Sequence, residues 1–415
     1  MAIRVLAGKR IILGVTGSIA CYKAVDLASK LTQAGALVDI ILTDAAQQFV
    51  TPLTFQAVTG RPVYTTLWAP SPGDGLPTHI AHVGLAEGTD LLMVAPATAH
   101  TLAKLAVGLA DDLLGVTALA ATCPLLVAPA MDGSMYAHAA VQANLATLQS
   151  RGAMVIQPEA GRFASGLTGI GRLPETAALM GHIRMALGRV NGVLAGQHVI
   201  VTAGGTREAI DPVRFIGNRS SGKQGYALAQ AALDAGAHVT LISSAGAGLS
   251  VPTGAALVPV TSAADLKAAV LAHAVPGTIL IMAAAVADFK PAAQAEHKIK
   301  KSSDNAEGFA LQLTRTDDIL AAVKETRDAG FGPRLVVAFA AESRDLIANA
   351  DDKLRRKGAD LLVANDISAR DAGFETDTNR VVILRPGAEP EHMPLLSKSE
   401  AAEAVIRRAA ALLGE

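Results

Sequence analysis

The sequence predicts an α/β fold made of two Rossmann-like, doubly wound halves. Two observations carry this expectation. The segments AGKRIILGVTGSIACYKAVDLASKLTQAGALVDIILT and, later, AGQHVIVTAGGTRE with GYALAQAALDAGAHVTLISS each read as strand, glycine-rich turn, helix ending near Ala-Gly, and second strand. Five further apolar runs, LLMVAPATA, PLLVAPAMD, ILIMAAAVAD, LVVAFAAES and LLVAND, each end in a loop of small residues. In open parallel sheets ligands lie beyond the carboxyl ends of the strands, so these tails are where chemistry is expected. Close helix packing explains any one such tail; five in register argue for lined pockets.

Composition narrows the function classes. A chain of 415 residues exceeds one ordinary core, and its 36 Lys+Arg against 37 Asp+Glu point to neither nucleic acid nor a membrane surface. Two cysteines, Cys21 and Cys123, form neither a disulfide framework nor a metal spacing, which suits a reducing, cytoplasmic compartment. Gly14, Gly17 and Ser18 interrupt any signal-like apolar region, and no run reaches the roughly 18 apolar residues of a membrane span. Scarce aromatics (3%) with abundant Ala, Val and Leu fit buried strands and Ala-rich helices.

The first turn, GVTGSIA, has glycines at 14 and 17 but lacks the full dinucleotide pattern G-x-G-x-x-G. Backbone amides opening a helix there would hold one phosphate, as a mononucleotide such as FMN requires. An NAD(P)-linked oxidoreductase, the rival enzyme class, is disfavoured because the second turn lacks the full pattern too. The helical run ETAALMGHIRMALGRV and the turn-like NGVLAGQ put a domain boundary close to residue 190, giving segments 1–188 and 189–415.

In the second half, VRFIGNRSSGKQGYALA places Gly217 four residues before Gly222-Lys223, one hydroxyl short of the phosphate loop G-x-x-x-x-G-K-[ST]. The strand HVIVTAGG ends near Gly205, well before Gly217, and Gln224 replaces the metal-binding hydroxyl, so this is not a Walker loop. It reads instead as a helix start with Ser220 or Ser221 as N-cap, its amides facing a phosphate and Arg214 and Asn218 at the same mouth. KIKK and KLRRKGAD each pass alone for solvated charge; Lys353 and Lys357, four apart, share one helical face.

Taken together, GVTGSIA, APATAHTLAKLAVGLADDLL and PAMDGSMY resemble the phosphopantothenoylcysteine decarboxylases over residues 10 to about 175. The set TAGGTREAIDPVRFIGNRSSGKQG, MAAAVADF, KIKK, FAAE and KLRRKGADLLVAND resembles the CTP-using phosphopantothenate-cysteine ligases over 197 to about 410. The resemblance implies a flavodoxin-like, FMN-binding first half, a CTP-binding second half, and two consecutive steps of coenzyme A synthesis. CTP would activate the carboxylate of 4'-phosphopantothenate as an acyl-cytidylate, with Mg2+ offsetting triphosphate charge, and cysteine would displace CMP. The product would then be decarboxylated oxidatively with FMN.

Residue by residue, the resemblance assigns flavin contacts to Gly17, Ser18, Ile19, Thr43, Ala95 and Thr98. The acid-base histidine lies eight positions before Asp90, at His82, with His79 as competitor in HIAH. Asp132 and Met135 stand at the substrate-carboxylate loop, where the family carries Pro-Ala-Met-Asn, and Ser165 stands where it carries a proton-returning Cys. Asp132 must therefore be protonated, reoriented or paired with a cation to keep that role. In the ligase half Asn218 acts on the acyl-cytidylate, Arg214 holds the anionic substrate and Lys298 contacts phosphate. Met282, Ala283, Ala284, Asp288, Asp317, Asp318, Ile319, Leu320, Phe339, Lys353 and Lys357 match the CTP positions, and no metal ligand is assigned. The resemblance further implies a homo-oligomer, with a dodecamer as one expected size, acting on small molecules and on neither nucleic acid nor membrane. An active ligase joined to a flavin-binding but impaired, oligomerising first half is the alternative, raised by Asp132 and Ser165.

Overall fold

The structure is a computed structural model that describes residues 5–68, 80–246, 248–300, 310–342, 346–366 and 377–414. The chain divides into two compact units, Met1–Leu187 and Gly188–Glu415.

The first unit begins with β1 (Arg10–Val15), β2 (Leu37–Leu42), β3 (Val63–Tyr64), β4 (Leu91–Ala97), β5 (Leu125–Pro129) and β6 (Met154–Val155). These form one parallel sheet in the order β3-β2-β1-β4-β5-β6. Successive strand side chains point to opposite faces. Ile11, Leu13 and Val15 accordingly pack with Leu27 and Leu31 of the helix Cys21–Gln33, whereas Ile12 joins Leu92, Val94 and Leu114 on the other face. Wholly buried β4 is the near-continuous apolar run expected of a parallel sheet covered on both sides. An antiparallel hairpin, β7 (Glu159–Arg162) with β8 (Thr168–Arg172), follows the sheet.

The order is the Rossmann-like 3-2-1-4-5-6, which is the flavodoxin-like 2-1-3-4-5 with one further strand at its edge. The difference is β3, a two-residue strand added outside β2. Without it the remaining strands would read as the flavodoxin sequence. In either order the switch point falls between the first strand and β4.

The second unit repeats this plan. Its sheet contains β9 (His198–Ala203), and a small antiparallel pair follows, β10 (Arg207–Ala209) with β11 (Phe215–Gly217). The sheet continues through β12 (His238–Ser243), β13 (Ala255–Pro259) and β14 (Thr278–Met282), interrupted by the pair β15 (Phe289–Pro291) and β16 (Leu313–Arg315). Next come β17 (Leu335–Glu342), β18 (Leu361–Asp366), the short β19 (Thr378–Asn379), β20 (Val381–Leu384) and β21 (Glu391–His392). The sheet order is β13-β12-β9-β14-β17-β18-β20-β21, parallel as far as β18 and antiparallel beyond. Counted within the unit, its first six strands again read 3-2-1-4-5-6. The helices Lys223–Asp234 and Lys398–Gly414 pack on the face of Val199 and Ile281; Ala263–His273, Ile319–Asp328 and Leu346–Lys357 cover the face of Ile200 and Leu280.

Candidate active sites

In the first unit, β1 runs into Thr16, whose hydroxyl donates to the Pro96 carbonyl at 2.7 Å and accepts from the Thr98 N–H at 3.0 Å. This buried residue joins the loops after β1 and β4 across the switch point. Gly17 is needed for proximity, since a Cβ there would lie 2.5 Å from the Ala45 methyl. The helix Cys21–Gln33 then starts without a side-chain cap, so its positive end faces the opening.

A cleft of about 590 Å³ lies here, lined by Gly17, Ser18, Ile19, Tyr22 and Lys23, by Thr98 and His100, and by the loops after β5 and around the β7–β8 hairpin. The hairpin docks closely: Met131 N donates to Gly171 O at 3.0 Å, and a Cβ on Gly133 would meet the Phe163 ring at 3.2 Å. It thereby brings Ser165 to Asp132, with Ser165 Oγ donating to Asp132 Oδ2 at 2.8 Å. Asp132 also caps the helix Gly133–Ala137, accepting from Ser134 N at 3.2 Å. The Ser165 hydroxyl first, then the Ser134 N–H, hold the Asp132 carboxyl below its ordinary range. Both hydrogen bonds favour its ionised form. Arg162 and Arg172 line the same cleft as cations.

Gly17, Ser18, Ile19, Thr98, Asp132, Met135 and Ser165 thus converge on one cleft. Three expected residues do not line it. Thr43 caps the short helix Asp44–Gln47, accepting from Ala46 N at 3.3 Å. Ala95 is fully buried, so its side chain belongs to the core. His82 sits on the helix Ala81–Ala86, whose Ala81 and Leu85 pack on the sheet face opposite the helix Cys21–Gln33. His79 lies outside the described residues. Lys23, Arg162 and Arg172 were not singled out from sequence; Lys23 is buried, donating to Leu173 O at 2.9 Å and Glu175 at 2.7 Å.

In the second unit Thr202 and Thr206 repeat the tie made by Thr16. Their hydroxyls accept from Ala284 N at 3.0 Å and Ala287 N at 2.9 Å, holding the small-residue tail of β14 beside β9. Gly204, at φ 87°, turns this crossing, where a Cβ would stand 2.5 Å from Ala245 N.

Beyond β14 opens a cleft of about 770 Å³ on the Ile200 side of the sheet. Met282, Ala284, Asp288, Asp317, Asp318, Ile319, Leu320, Phe339, Lys353 and Lys357 all line it, with Arg315 and Arg356. Asp318 caps the helix Ile319–Asp328 and pairs with Lys357; Lys353 Nζ donates to Phe339 O at 3.0 Å. The Lys267 ammonium, 2.7 Å away, holds Asp317 below the usual carboxylate range. The shared face read for Lys353 and Lys357 is thus a cleft wall.

A smaller chamber of about 120 Å³ lies on the Val199 side, lined by Ser220 to Gly225, Ala283, Ala284, Phe339, Ala340, Asn365, Asn379 and Lys398. Ala284 and Phe339 line both cavities, while Ala283 lines this one alone. The N-cap of the helix Lys223–Asp234 is Gly222, at φ 78° with no side-chain cap bond, and not Ser220 or Ser221. Only glycine reaches that left-handed backbone without strain, so it takes the capping position. Lys223 pairs with Asp377 at 2.6 Å.

Asn218, Arg214 and Lys298 line neither cavity. Asn218 Nδ2 donates to Val286 O at 2.8 Å, which puts it on the β14 tail, and Val286 itself lines the large cleft. Arg214 donates to Ile299 O at 2.8 Å, drawing the segment that carries exposed Lys298 toward it. Among the described residues, no three His, Cys, Asp or Glu form a metal cluster, and no helix is long and apolar enough to cross a membrane.

Residues 3–188 match the flavoprotein family, and residues 194–413 match the DNA/pantothenate metabolism flavoprotein C-terminal domain. The coenzyme A biosynthesis bifunctional protein CoaBC of Bacillus subtilis is 44% identical over 410 residues, covering 98% of each chain. Its Mycobacterium tuberculosis H37Rv namesake is 48% identical over 380 residues, 89% of each chain. The Vibrio cholerae protein of that name is 42% identical, covering 97% of this chain and 98% of its own. With both halves matched in order, the chain belongs to the family of coenzyme A biosynthesis bifunctional proteins.

Proposed function

We propose that the second half ligates 4'-phosphopantothenate to cysteine with CTP, and that the first half decarboxylates the product with FMN. The gathering of ten expected nucleotide residues around one cleft carries the ligase reading. In it, Lys353, Lys357, Arg315 and Arg356 offset the charge that otherwise keeps a carboxylate from an α-phosphate. Mg2+ would offset part of the triphosphate charge, and Asp288, Asp317 and Asp318 are the cleft carboxylates that could hold it. The carboxylate oxygen bonds to the α-phosphorus as pyrophosphate leaves. The cysteine amine then forms the C–N bond, the acyl C–O bond breaks, CMP departs and the surplus amine proton is released. Asn218, held on the β14 tail, orients the acyl-cytidylate.

The first cleft fits FMN: the uncapped helix start at Ser18 to Cys21 suits a phosphate, and half-exposed Ile19, Tyr22 and Met135 offer an apolar wall for the ring. When bound, FMN supplies the hydride acceptor and donor for the oxidative decarboxylation. The protein's share is to hold the substrate and manage protons. Ionised Asp132 shares the cleft with Arg162 and Arg172, so the substrate carboxylate is met by these cations. Ser165 Oγ, bonded to Asp132, stands at the proton-returning position. His82, which lies across the sheet from the cleft of its own chain, would supply acid-base chemistry to the cleft of a neighbouring copy in a cytoplasmic homo-oligomer.

The test supplies the intact chain with 4'-phosphopantothenate, cysteine, CTP and Mg2+. Release of CO2 with 4'-phosphopantetheine is expected. Accumulated phosphopantothenoylcysteine without CO2 would reject decarboxylation and leave the first half as a flavin-binding scaffold.

A further inference from the structure

One buried carboxylate of the second unit has no part in the steps above. Asp211 is 2% exposed and lies in the loop between β10 and β11. Its Oδ1 accepts from Val213 N and Arg214 N, each at 2.8 Å, and these two bonds close the loop by themselves. Its Oδ2 makes a bond that no turn requires, accepting from Ile299 N at 3.2 Å across 88 residues of chain. Arg214 lies 3.7 Å from the same oxygen and donates through its other terminal nitrogen to Ile299 O at 2.8 Å. Both backbone groups of Ile299 are therefore held, the N–H by Asp211 and the carbonyl by Arg214.

Ile299 is the second residue of KIKK, half-buried between the exposed Lys298 and Lys300. The arm that carries them meets the loop at one earlier point, where Ala295 N donates to Ile210 O at 2.9 Å. The Asp211 bond is thus the clamp next to the lysines. On the other side of the loop, β11 leads into Asn218, itself fixed to the β14 tail. One loop therefore sets the arm of Lys298 against the strand that delivers Asn218. Burial disfavours charge on Asp211, yet the Val213, Arg214 and Ile299 N–H groups and the Arg214 guanidinium outweigh it and hold the carboxyl below its ordinary range. An ionised carboxylate presents two accepting oxygens, so it serves the loop and the arm at once; an amide has only one.

We propose that Asp211 is a positioning residue for acyl-cytidylate formation: by clamping the Ile299 backbone it fixes where Lys298 stands relative to Asn218. The role rests on the ligase reading above. Asp211 is buried beneath its own loop and meets no substrate; it acts through Lys298, a long cation on an otherwise irregular arm. A lysine ammonium is a point charge on a flexible stem, so its reach to a phosphate depends on where its backbone is anchored. Without the clamp the arm is held at Ala295 alone, and Lys298 samples positions in which it offsets no charge.

The test uses the full chain. Asp211→Asn leaves an oxygen for Val213 and Arg214 but sets an NH2 against the Ile299 N–H, so the loop stays closed and the clamp opens. Trypsin should then cut after Lys298 about tenfold faster, with the denaturation midpoint unchanged. The single-turnover rate of pyrophosphate release from CTP and 4'-phosphopantothenate should fall about tenfold, with half-saturating CTP within about twofold. Ile299→Pro, which deletes the donated N–H and leaves Asp211 and its loop whole, should slow release to a similar degree. The deciding measurement is the double variant: in a Lys298→Gln background, Asp211→Asn should slow release by less than about twofold further. Full multiplication of the two effects, or a release rate within about twofold of the unmodified chain in both Asp211→Asn and Ile299→Pro, would overturn the assignment. Absence of pyrophosphate release by the unmodified chain would refute the ligase reading, and the role of the clamp in it, even where trypsin cuts as expected.

Discussion

Replacing Thr16 with valine tests whether the flavin cleft depends on the tie across its switch point. Thr16 is 1% exposed, and its hydroxyl both donates to Pro96 O at 2.7 Å and accepts from Thr98 N at 3.0 Å. Valine keeps the shape but removes both bonds, leaving a buried acceptor and donor unmet at about 1–3 kcal/mol each. Partial relaxation brings the expected sum to about 3 kcal/mol. If the loops recover their bonds by moving apart when empty, that energy is drawn from flavin binding, and FMN affinity falls by up to about 100-fold. Titrating the apo full chain with FMN, read by quenching of flavin fluorescence, gives the number directly. Thr16→Ser, which keeps the hydroxyl, should bind within about threefold of the unmodified chain. If Thr16→Val bound FMN within about twofold, with an unchanged denaturation midpoint, the tie would not be what shapes the cleft.

Four further outcomes are expected. Asn218→Asp should lose ligation by about 100-fold or more while CTP binding stays within about twofold, and near-normal ligation would reject its assignment. Lys357→Met should raise the KM for CTP about tenfold, whereas Lys223→Met, whose lysine pairs with Asp377 in the other cavity, should change it by less than about threefold; equal effects would contradict the division between cavities. Ser165→Ala should move the Asp132 pKa up toward the ordinary value of about 3.9, because the hydroxyl is the first of the groups depressing it. Without the hydroxyl the carboxylate takes up its proton at higher pH, so the titration midpoint of Asp132, followed by its carboxyl NMR shift, should rise; an unmoved midpoint counts against the pairing. His82→Gln should abolish decarboxylation without changing FMN affinity, and activity within about twofold of the unmodified chain would exclude His82 as the acid-base group.

The strands and their loops were legible because their signals are local. LLMVAPATA and ILIMAAAVAD announce β4 and β14 through unbroken apolar runs that end in small residues, and those tails do line both clefts. What escaped was decided by distant contacts or backbone geometry. Ser220 and Ser221 are good caps by residue type, yet a left-handed turn gave the position to Gly222. Strand order hung on the two residues of β3, too short for any periodicity. Asn379 and Lys398 lie 155 and 174 residues beyond Gln224, and nothing in their own neighbourhoods marks them as walls of one chamber. The meeting of Asp132 with Ser165 was likewise invisible, although both had been singled out: the hairpin that joins them is a matter of packing.

The ends of the two sheets bear on how copies of the chain can associate. β3, β6 and β21 are two residues long and offer little unpaired backbone, whereas β13 is a five-residue outer strand that closes in Pro259, which has no N–H. A strand passing β3, β6 or β21 would find room for one or two hydrogen bonds and little register to recognise, which leaves β13 as the one longer edge among the described strands. Crowded solutions of this protein should therefore resist fibril-like stacking through their central sheets. Apart from β13, self-association would fall to helices, loops and the small outlying hairpins.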